Sequence, residues 1–115
     1  MATQMTSARR GVATDEMKQI AKDEDVTLDW LIPKIASGSI IIPSNNVRKE
    51  KIHNVAIGKG TKTKVNVNIG TSTLNVNIDE EIEKAKVAVK YHADTIMDLS
   101  DGGDVGIVRR KLLEV

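Results

Sequence analysis

Residues 63–72 read Thr-Lys-Val-Asn-Val-Asn-Ile-Gly-Thr-Ser, and over Lys62–Gly70 polar and apolar side chains alternate with a period of two. That period belongs to a β-strand, here from about Lys62 to Gly70. Val65, Val67 and Ile69 share one face, while Lys64, Asn66 and Asn68 share the other. Gly70-Thr71-Ser72-Thr73 reads as a loop. Asn77 followed three residues later by Glu80 has the pattern of a capping box and opens a helix that runs to about Tyr91. Its apolar stripe is Ile78, Ile82, Ala85 and Val89, with Glu83, Lys84, Lys86 and Lys90 outward. Ala93–Ser100 forms a second strand of similar length. After the turn Asp101-Gly102-Gly103-Asp104, Asp104 caps a last helix whose stripe is Val105, Val108, Leu112 and Val115.

Residues 61–115 therefore predict strand–helix–strand–helix. Strands joined through a helix run parallel with a right-handed crossover. Parallel strands want both faces covered, and two alone leave an unpaired edge on each side. The last helix runs straight into Val115. The expectation is an α/β chain that looks cut off inside a larger sheet or barrel.

Residues 1–60 are a smaller α+β segment. Residues 1–13 lack sustained periodicity and read as an arm that orders only on docking. Thr14 caps a short helix to about Lys22, with Met17, Ile20 and Ala21 on one face. Thr27 caps another carrying Leu28, Leu31, Ile32 and Ile35, which Pro33 should restrict or kink and Gly38 should end. Ser39–Ile42 is a brief strand stopped by Pro43, residues 44–52 are a polar loop, and His53–Ile57 is a second short strand before the turn at Gly58-Lys59-Gly60.

Composition narrows the function. Seventeen Lys and Arg against 16 Asp and Glu give a net charge of +1, which does not suit a surface tracking nucleic-acid phosphates. Trp30 and Tyr91 are the whole aromatic content, so base stacking is nearly excluded and the core is aliphatic. With no Cys there is no disulfide, thiolate zinc site, iron–sulfur ligation or Cys nucleophile. No apolar run approaches membrane-span length and no secretory h-region follows Arg9-Arg10, so a soluble cytoplasmic protein is expected.

Asn is depleted in strands because its side chain competes for backbone hydrogen bonds, so Asn66 and Asn68 on one face are unusual. They read either as a solvated face or as amides placed to bind something polar at a strand's carboxyl end, where α/β folds bind ligands. Met97 is either core or an adaptable contact for a planar ligand, and Asp98 an acid, a base, an anchor or a capping carboxylate. Asn75-Val76-Asn77-Ile78 echoes Asn66-Val67-Asn68-Ile69 once, too short to be a repeat. Gly58-Lys59-Gly60-Thr61 and Asp101–Asp104 match no phosphate-loop pattern and read as turns. His53 and His92 stand alone, without metal-ligand spacing, and His92 falls at a helix end. Arg48-Lys49-Glu50-Lys51 and Lys62/Lys64 read as solvated charge. No catalytic residue and no metal ligand emerges from these patterns.

The residues taken together resemble a known family. Residues 63–72, the acidic helix start Asp79-Glu80-Glu81, Ala93-Asp94-Thr95-Ile96-Met97-Asp98-Leu99-Ser100, the opening Thr3-Gln4-Met5-Thr6-Ser7-Ala8-Arg9-Arg10-Gly11 and Ile40-Ile41-Ile42-Pro43 are similar to the ThiC family of phosphomethylpyrimidine synthases. The resemblance implies a radical S-adenosylmethionine lyase of thiamine biosynthesis on a (β/α)8 barrel, converting aminoimidazole ribotide to hydroxymethylpyrimidine phosphate. It implies that Asn68 and Met97 contact the substrate, the amide on its polar edge and the thioether near its ring. In full-length members it implies a [4Fe–4S] cluster on a C-terminal Cys triplet, S-adenosylmethionine and zinc. This chain alone would bind none of these cofactors, since the Cys motif has no counterpart here. Departures from the family pattern are His92 where Gly is expected, Val67 where a smaller residue is usual, and the Asp101–Asp104 turn.

The expected fold is thus a small N-terminal α+β segment (1–60) followed by the first two β/α units of an incomplete (β/α)8 barrel (61–115). The expected function is that of an N-terminal fragment of such a synthase, inactive alone. Its partner is a small-molecule substrate, with no nucleic acid and no membrane. The alternative is a free-standing, non-catalytic module that binds a ligand or partner and covers its strand edges by homo-oligomerisation.

Overall fold

The structure, a computed structural model, describes residues 2–45, 47 and 52–115. The chain divides into two compact units, Met1–Thr63 and Lys64–Val115.

The first unit holds three helices, α1 (Gln4–Arg9), α2 (Asp15–Glu24) and α3 (Leu28–Ala36), and two strands, β1 (Ile40–Ile41) and β2 (Ile57–Gly58). The hydroxyls of Thr14 and Thr27 accept from the Met17 and Trp30 amides and so cap α2 and α3. Pro33 lies inside α3 without ending it, because only one helical donor is lost and Leu31 and Ile35 anchor the turns on either side in the core. The helix ends at Ala36, before a turn where Gly38 takes φ 80° and the Ser39 amide donates to the Lys34 carbonyl at 2.9 Å. Met17, Ile20, Leu31, Ile35, Ile40 and Ala56 make the aliphatic core.

Three expectations are corrected here. The supposed arm carries α1, capped by Thr3 and packed on α3 with Ala8 buried. A helix of this length is unstable by itself, so its order comes from docking, which leaves little periodicity to read. The Arg9 guanidinium bonds the Ala36 carbonyl at 3.2 Å, and the Thr14 hydroxyl bonds Gln4 Oε1 at 2.7 Å. The strand expected at His53–Ile57 shrinks to Ile57–Gly58, antiparallel to β1. Gln19 takes the Asn54 backbone instead, donating to its carbonyl at 2.9 Å and accepting from its amide at 3.3 Å, while His53 turns to Asp23 at 2.8 Å. Lys62 is tied down rather than freely solvated, its ammonium donating to the Asp23 carbonyl and its amide to the Glu24 carboxylate. The charged run Arg48–Lys51 lies outside the described residues.

The second unit holds β3 (Asn66–Ile69), α4 (Ile78–Lys90), β4 (Thr95–Asp98) and α5 (Val105–Leu112). β3 and β4 are parallel, with Asn66 opposite Thr95, Val67 opposite Ile96, Asn68 opposite Met97 and Ile69 opposite Asp98. Both are shorter than the alternation predicted. Asp94 caps the entry by accepting from the Val65 amide at 2.7 Å, and at the exit Glu81 accepts from the Gly70 amide at 2.7 Å. Side chains thus replace strand partners at each end. Asn77 and Asp104 cap α4 and α5 through the Glu80 and Ile107 amides.

The buried face of α4 is Glu81, Ala85 and Ala88, not the stripe through Val89, which is 54% exposed. Ala88 takes the place because the small side chain allows close approach to the sheet, and Glu81 is admitted because its oxygens are bonded. On α5, Val108 is buried, whereas Val115 lies beyond the helix and is 43% exposed.

Candidate functional site

The carboxyl ends of β3 and β4 are locked together by their loops. The Leu99 amide continues the ladder to the Ile69 carbonyl at 2.8 Å. The Thr71 amide then donates to Ser100 Oγ at 3.0 Å, its buried hydroxyl to the Gly102 carbonyl at 2.7 Å, and the Asp101 amide to the Thr71 carbonyl at 3.0 Å. Two glycines make this approach possible. Gly70 sits at φ 149°, and a Cβ there would lie 2.5 Å from the Ser100 nitrogen. A Cβ on Gly102 would lie 2.2 Å from the Ser72 carbonyl oxygen. Neither loop can separate from its strand end without opening the other.

Two carboxylates brace this junction from the helix side. Asp98 accepts from the Ser100 amide and hydroxyl on one oxygen and from Arg109 Nε at 3.1 Å on the other. Burial pushes its pKa up, but the Ser100 hydrogen bonds and the Arg109 guanidinium outweigh it and hold the carboxyl below its ordinary value. Asp98 is therefore an anchored, ionised brace rather than a proton donor. Glu81, 3% exposed, bonds the Gly70 amide and the Lys84 ammonium, the latter at 2.7 Å. Burial again works upward and is again outweighed, by the Lys84 and Gly70 hydrogen bonds, so its pKa is lowered too. Sequence patterning missed Glu81, since an acidic residue in a helix's first turn reads as exposed and dipole-favoured.

On the face of the sheet away from α4, the strand pairing brings together what the sequence singled out. Asn68 and Met97 are direct cross-strand neighbours near the carboxyl ends of parallel strands. Met97 is 50% exposed and Asn68 is exposed. One step down, Asn66 faces Thr95. The Thr95 hydroxyl donates to Asn66 Oδ1 at 2.7 Å, and Asn66 Nδ2 donates to Asn68 Oδ1 at 2.8 Å. This surface presents an amide and a thioether side by side, which can bond the polar edge of a small planar molecule and cover part of its ring. It offers no nucleophile and no general base.

A groove of about 540 Å³ opens beside β3, lined by Val65, Val67, Asn68 and Ile69 and by Val87 and Tyr91 from α4. Val65, Val87 and Tyr91 leave apolar surface exposed along the free edge of the sheet.

The remaining sequence candidates take structural places. Asn75 closes a turn against Ser72, and Asn77 caps a helix, so the Asn-Val-Asn-Ile echo is not a second strand. Gly58–Thr61 is a turn, with the Thr61 amide bonded to the Gly58 carbonyl at 3.3 Å. His92 occupies the left-handed position after α4 at φ 57°. Among the described residues no three His, Cys, Asp or Glu side chains converge to hold a metal ion, and no helix is long and apolar enough to cross a membrane.

Residues 3–115 match the model of the radical SAM ThiC family. The chain is 54% identical over 112 residues to the phosphomethylpyrimidine synthase of Pyrococcus furiosus, covering 97% of this chain and 26% of that protein. It is 50% identical over 113 residues to phosphomethylpyrimidine synthase 1 of Methanothermobacter thermautotrophicus, covering 98% of this chain and 26% of the relative. It is 45% identical over 113 residues to the phosphomethylpyrimidine synthase of Thermus thermophilus, with the same coverage of 98% and 26%. The chain thus spans about a quarter of the length of these curated relatives.

Proposed function

Because the chain belongs to the radical SAM ThiC family, we propose that it provides the first two β/α units of the (β/α)8 barrel of a phosphomethylpyrimidine synthase, the lyase that converts aminoimidazole ribotide to hydroxymethylpyrimidine phosphate in thiamine biosynthesis. Its part in that enzyme is to bind and orient the ribotide through Asn68 and Met97. The observation that carries this is their pairing across β3 and β4 at the carboxyl ends of parallel strands, on the face away from α4. A barrel places its site there, at the rim where strand ends and loops meet. The exposed apolar groove along the free edge of β3 supports the same reading, since a parallel strand in a closed barrel is covered on both faces.

The cluster, S-adenosylmethionine and zinc that the family implies are held elsewhere in the full-length enzyme. This chain has no Cys to ligate iron. When bound in the whole enzyme, those cofactors would supply the radical. The contribution of these residues is an amide hydrogen bond, a thioether contact and the locked loops that hold both in register. A cytoplasmic location and lack of turnover by the isolated chain belong to the same proposal.

The test is a hybrid in which the matching 112 residues of the Pyrococcus furiosus synthase are replaced by those of this chain. The hybrid should make hydroxymethylpyrimidine phosphate and relieve the thiamine requirement of a strain lacking the synthase. Asn68→Ala in it should weaken ribotide binding by about 1–3 kcal/mol, the usual loss when a polar partner is left unpaired in a closed site. A folded hybrid with an intact cluster that makes no product overturns the assignment of function. A productive hybrid indifferent to Asn68→Ala removes Asn68 from the site.

A further inference from the structure

We propose that Asn66 and Thr95 are positioning residues that turn the Asn68 amide with its nitrogen outward, so that the ligand atom it meets is a hydrogen-bond acceptor. The inference rests on the reading of Asn68 as a substrate contact, and goes beyond it by fixing the polarity of that contact and naming the two residues that set it.

An Asn side chain presents a donor and an acceptor of nearly the same shape, and only its neighbours decide which one faces a ligand. Here the neighbours form a relay. Asn66 and Thr95 are paired across the strands, and the Thr95 hydroxyl donates to Asn66 Oδ1 at 2.7 Å. With its oxygen engaged, Asn66 points its nitrogen up the strand, where Nδ2 donates to Asn68 Oδ1 at 2.8 Å. That bond engages one lone pair of the Asn68 oxygen and turns the amide so that its Nδ2 is directed to a further acceptor. Asn66 and Asn68 are two apart on one strand, so their side chains stand on one face within reach of each other. Across from Asn68 is Met97, whose thioether is a weak acceptor and cannot compete for the amide nitrogen. The site is accordingly built to meet a ring nitrogen without hydrogen, a carbonyl oxygen or a phosphate oxygen.

The relay can be reversed or cut by substitutions that barely change shape. Asn66→Asp removes the donor that faces Asn68 and puts an acceptor in its place. The Asn68 amide then rotates to donate to the new carboxylate, and its oxygen turns towards the ligand. Thr95→Val keeps the shape and loses the anchoring hydroxyl, while Thr95→Ser keeps the hydroxyl.

Two readouts test this. In the 115-residue chain, nitrogen-15 NMR of the side-chain amides should show slower hydrogen exchange at Asn66 than at Asn68, and Thr95→Val should accelerate exchange at Asn66 while Thr95→Ser does not. In the hybrid synthase, Asn66→Asp and Asn68→Asp should each raise KM for the ribotide by about tenfold or more with kcat changed much less, an effect equal to one hydrogen bond. Thr95→Val should raise KM by a few-fold, and Thr95→Ser should restore it.

If Asn68→Asp keeps the unmodified KM, the amide faces the ligand through its oxygen and the proposal is wrong. If Asn68→Ala raises KM but Asn66→Asp does not, the relay does not position the amide and the proposal is likewise overturned. If Asn68→Ala has no effect on KM, the site reading itself fails. The exchange rates in the chain then decide the relay by themselves: equal, fast exchange at both amides, unmoved by Thr95→Val, refutes it.

Discussion

Replacing His92 by Gly is expected to stabilise the second unit by up to about 0.5 kcal/mol. His92 follows the last turn of α4 at φ 57°, with its amide bonded to the Val89 carbonyl at 3.0 Å and the next amide, of Ala93, bonded to the Ala88 carbonyl at 3.0 Å. That pair of bonds satisfies two carbonyls of the last helical turn and goes with the left-handed conformation at position 92. For a side chain with a Cβ this conformation costs about 1–2 kcal/mol, and His lies toward the lower end because it tolerates this region better than branched residues. Glycine removes that cost but loses roughly 0.5–1 kcal/mol more chain entropy on folding, which leaves the net gain stated. Trp30 belongs to the other unit, so its fluorescence does not follow α4. Far-UV circular dichroism during urea unfolding and amide exchange along residues 85–93 do. A His92→Ala control keeps the Cβ and should gain nothing. If His92→Gly proves less stable than His92→Ala, the left-handed turn is not what limits this helix end, and the reasoning fails.

Gly70→Ala should cost about 3 kcal/mol or more, since a methyl group at φ 149° would sit 2.5 Å from the Ser100 nitrogen; a melt indistinguishable from the unmodified chain would show that the two loops are not locked. Glu81 has its carboxyl held below the ordinary 4.5, so its stabilising share is complete above that value and is lost as pH falls through the lowered one. Glu81→Gln should therefore reduce stability at neutral pH and flatten its decline on acidification, and an acid limb as steep as before would argue against the brace. The hybrid-enzyme predictions for Asn68→Ala, and for Asn66 and Thr95, bear on binding and should leave the chain's own stability nearly unchanged.

Much of the second unit can be read from local chemistry because each element announces itself within a few residues. The alternation over Lys62–Gly70 and the caps Asn77 and Asp104 each describe a backbone preference that needs no distant partner. In the first unit the caps Thr14 and Thr27 were equally plain. The helix at Gln4–Arg9 was not, since so short a segment is helical only while Ala8 is buried against α3. The short strand at Ile57–Gly58 was misplaced for a related reason: Gln19, more than thirty residues away, captures the Asn54 backbone.

Family membership and the two candidate contacts, Asn68 and Met97, were determined by the amino-acid sequence, because residue identity at marked spacings is a one-dimensional property. The tertiary structure alone decided which residues stand beside them. Strand register pairs Asn66 with Thr95 and Asn68 with Met97 across a separation of 29 residues, and a slip of one position would have turned every one of those side chains to the other face. It also decided that Glu81 is buried and bonded to the Gly70 amide instead of solvated on its helix. Pairing across a sheet and burial against it depend on the free energy of the assembled unit, and no local stretch of chain contains that information.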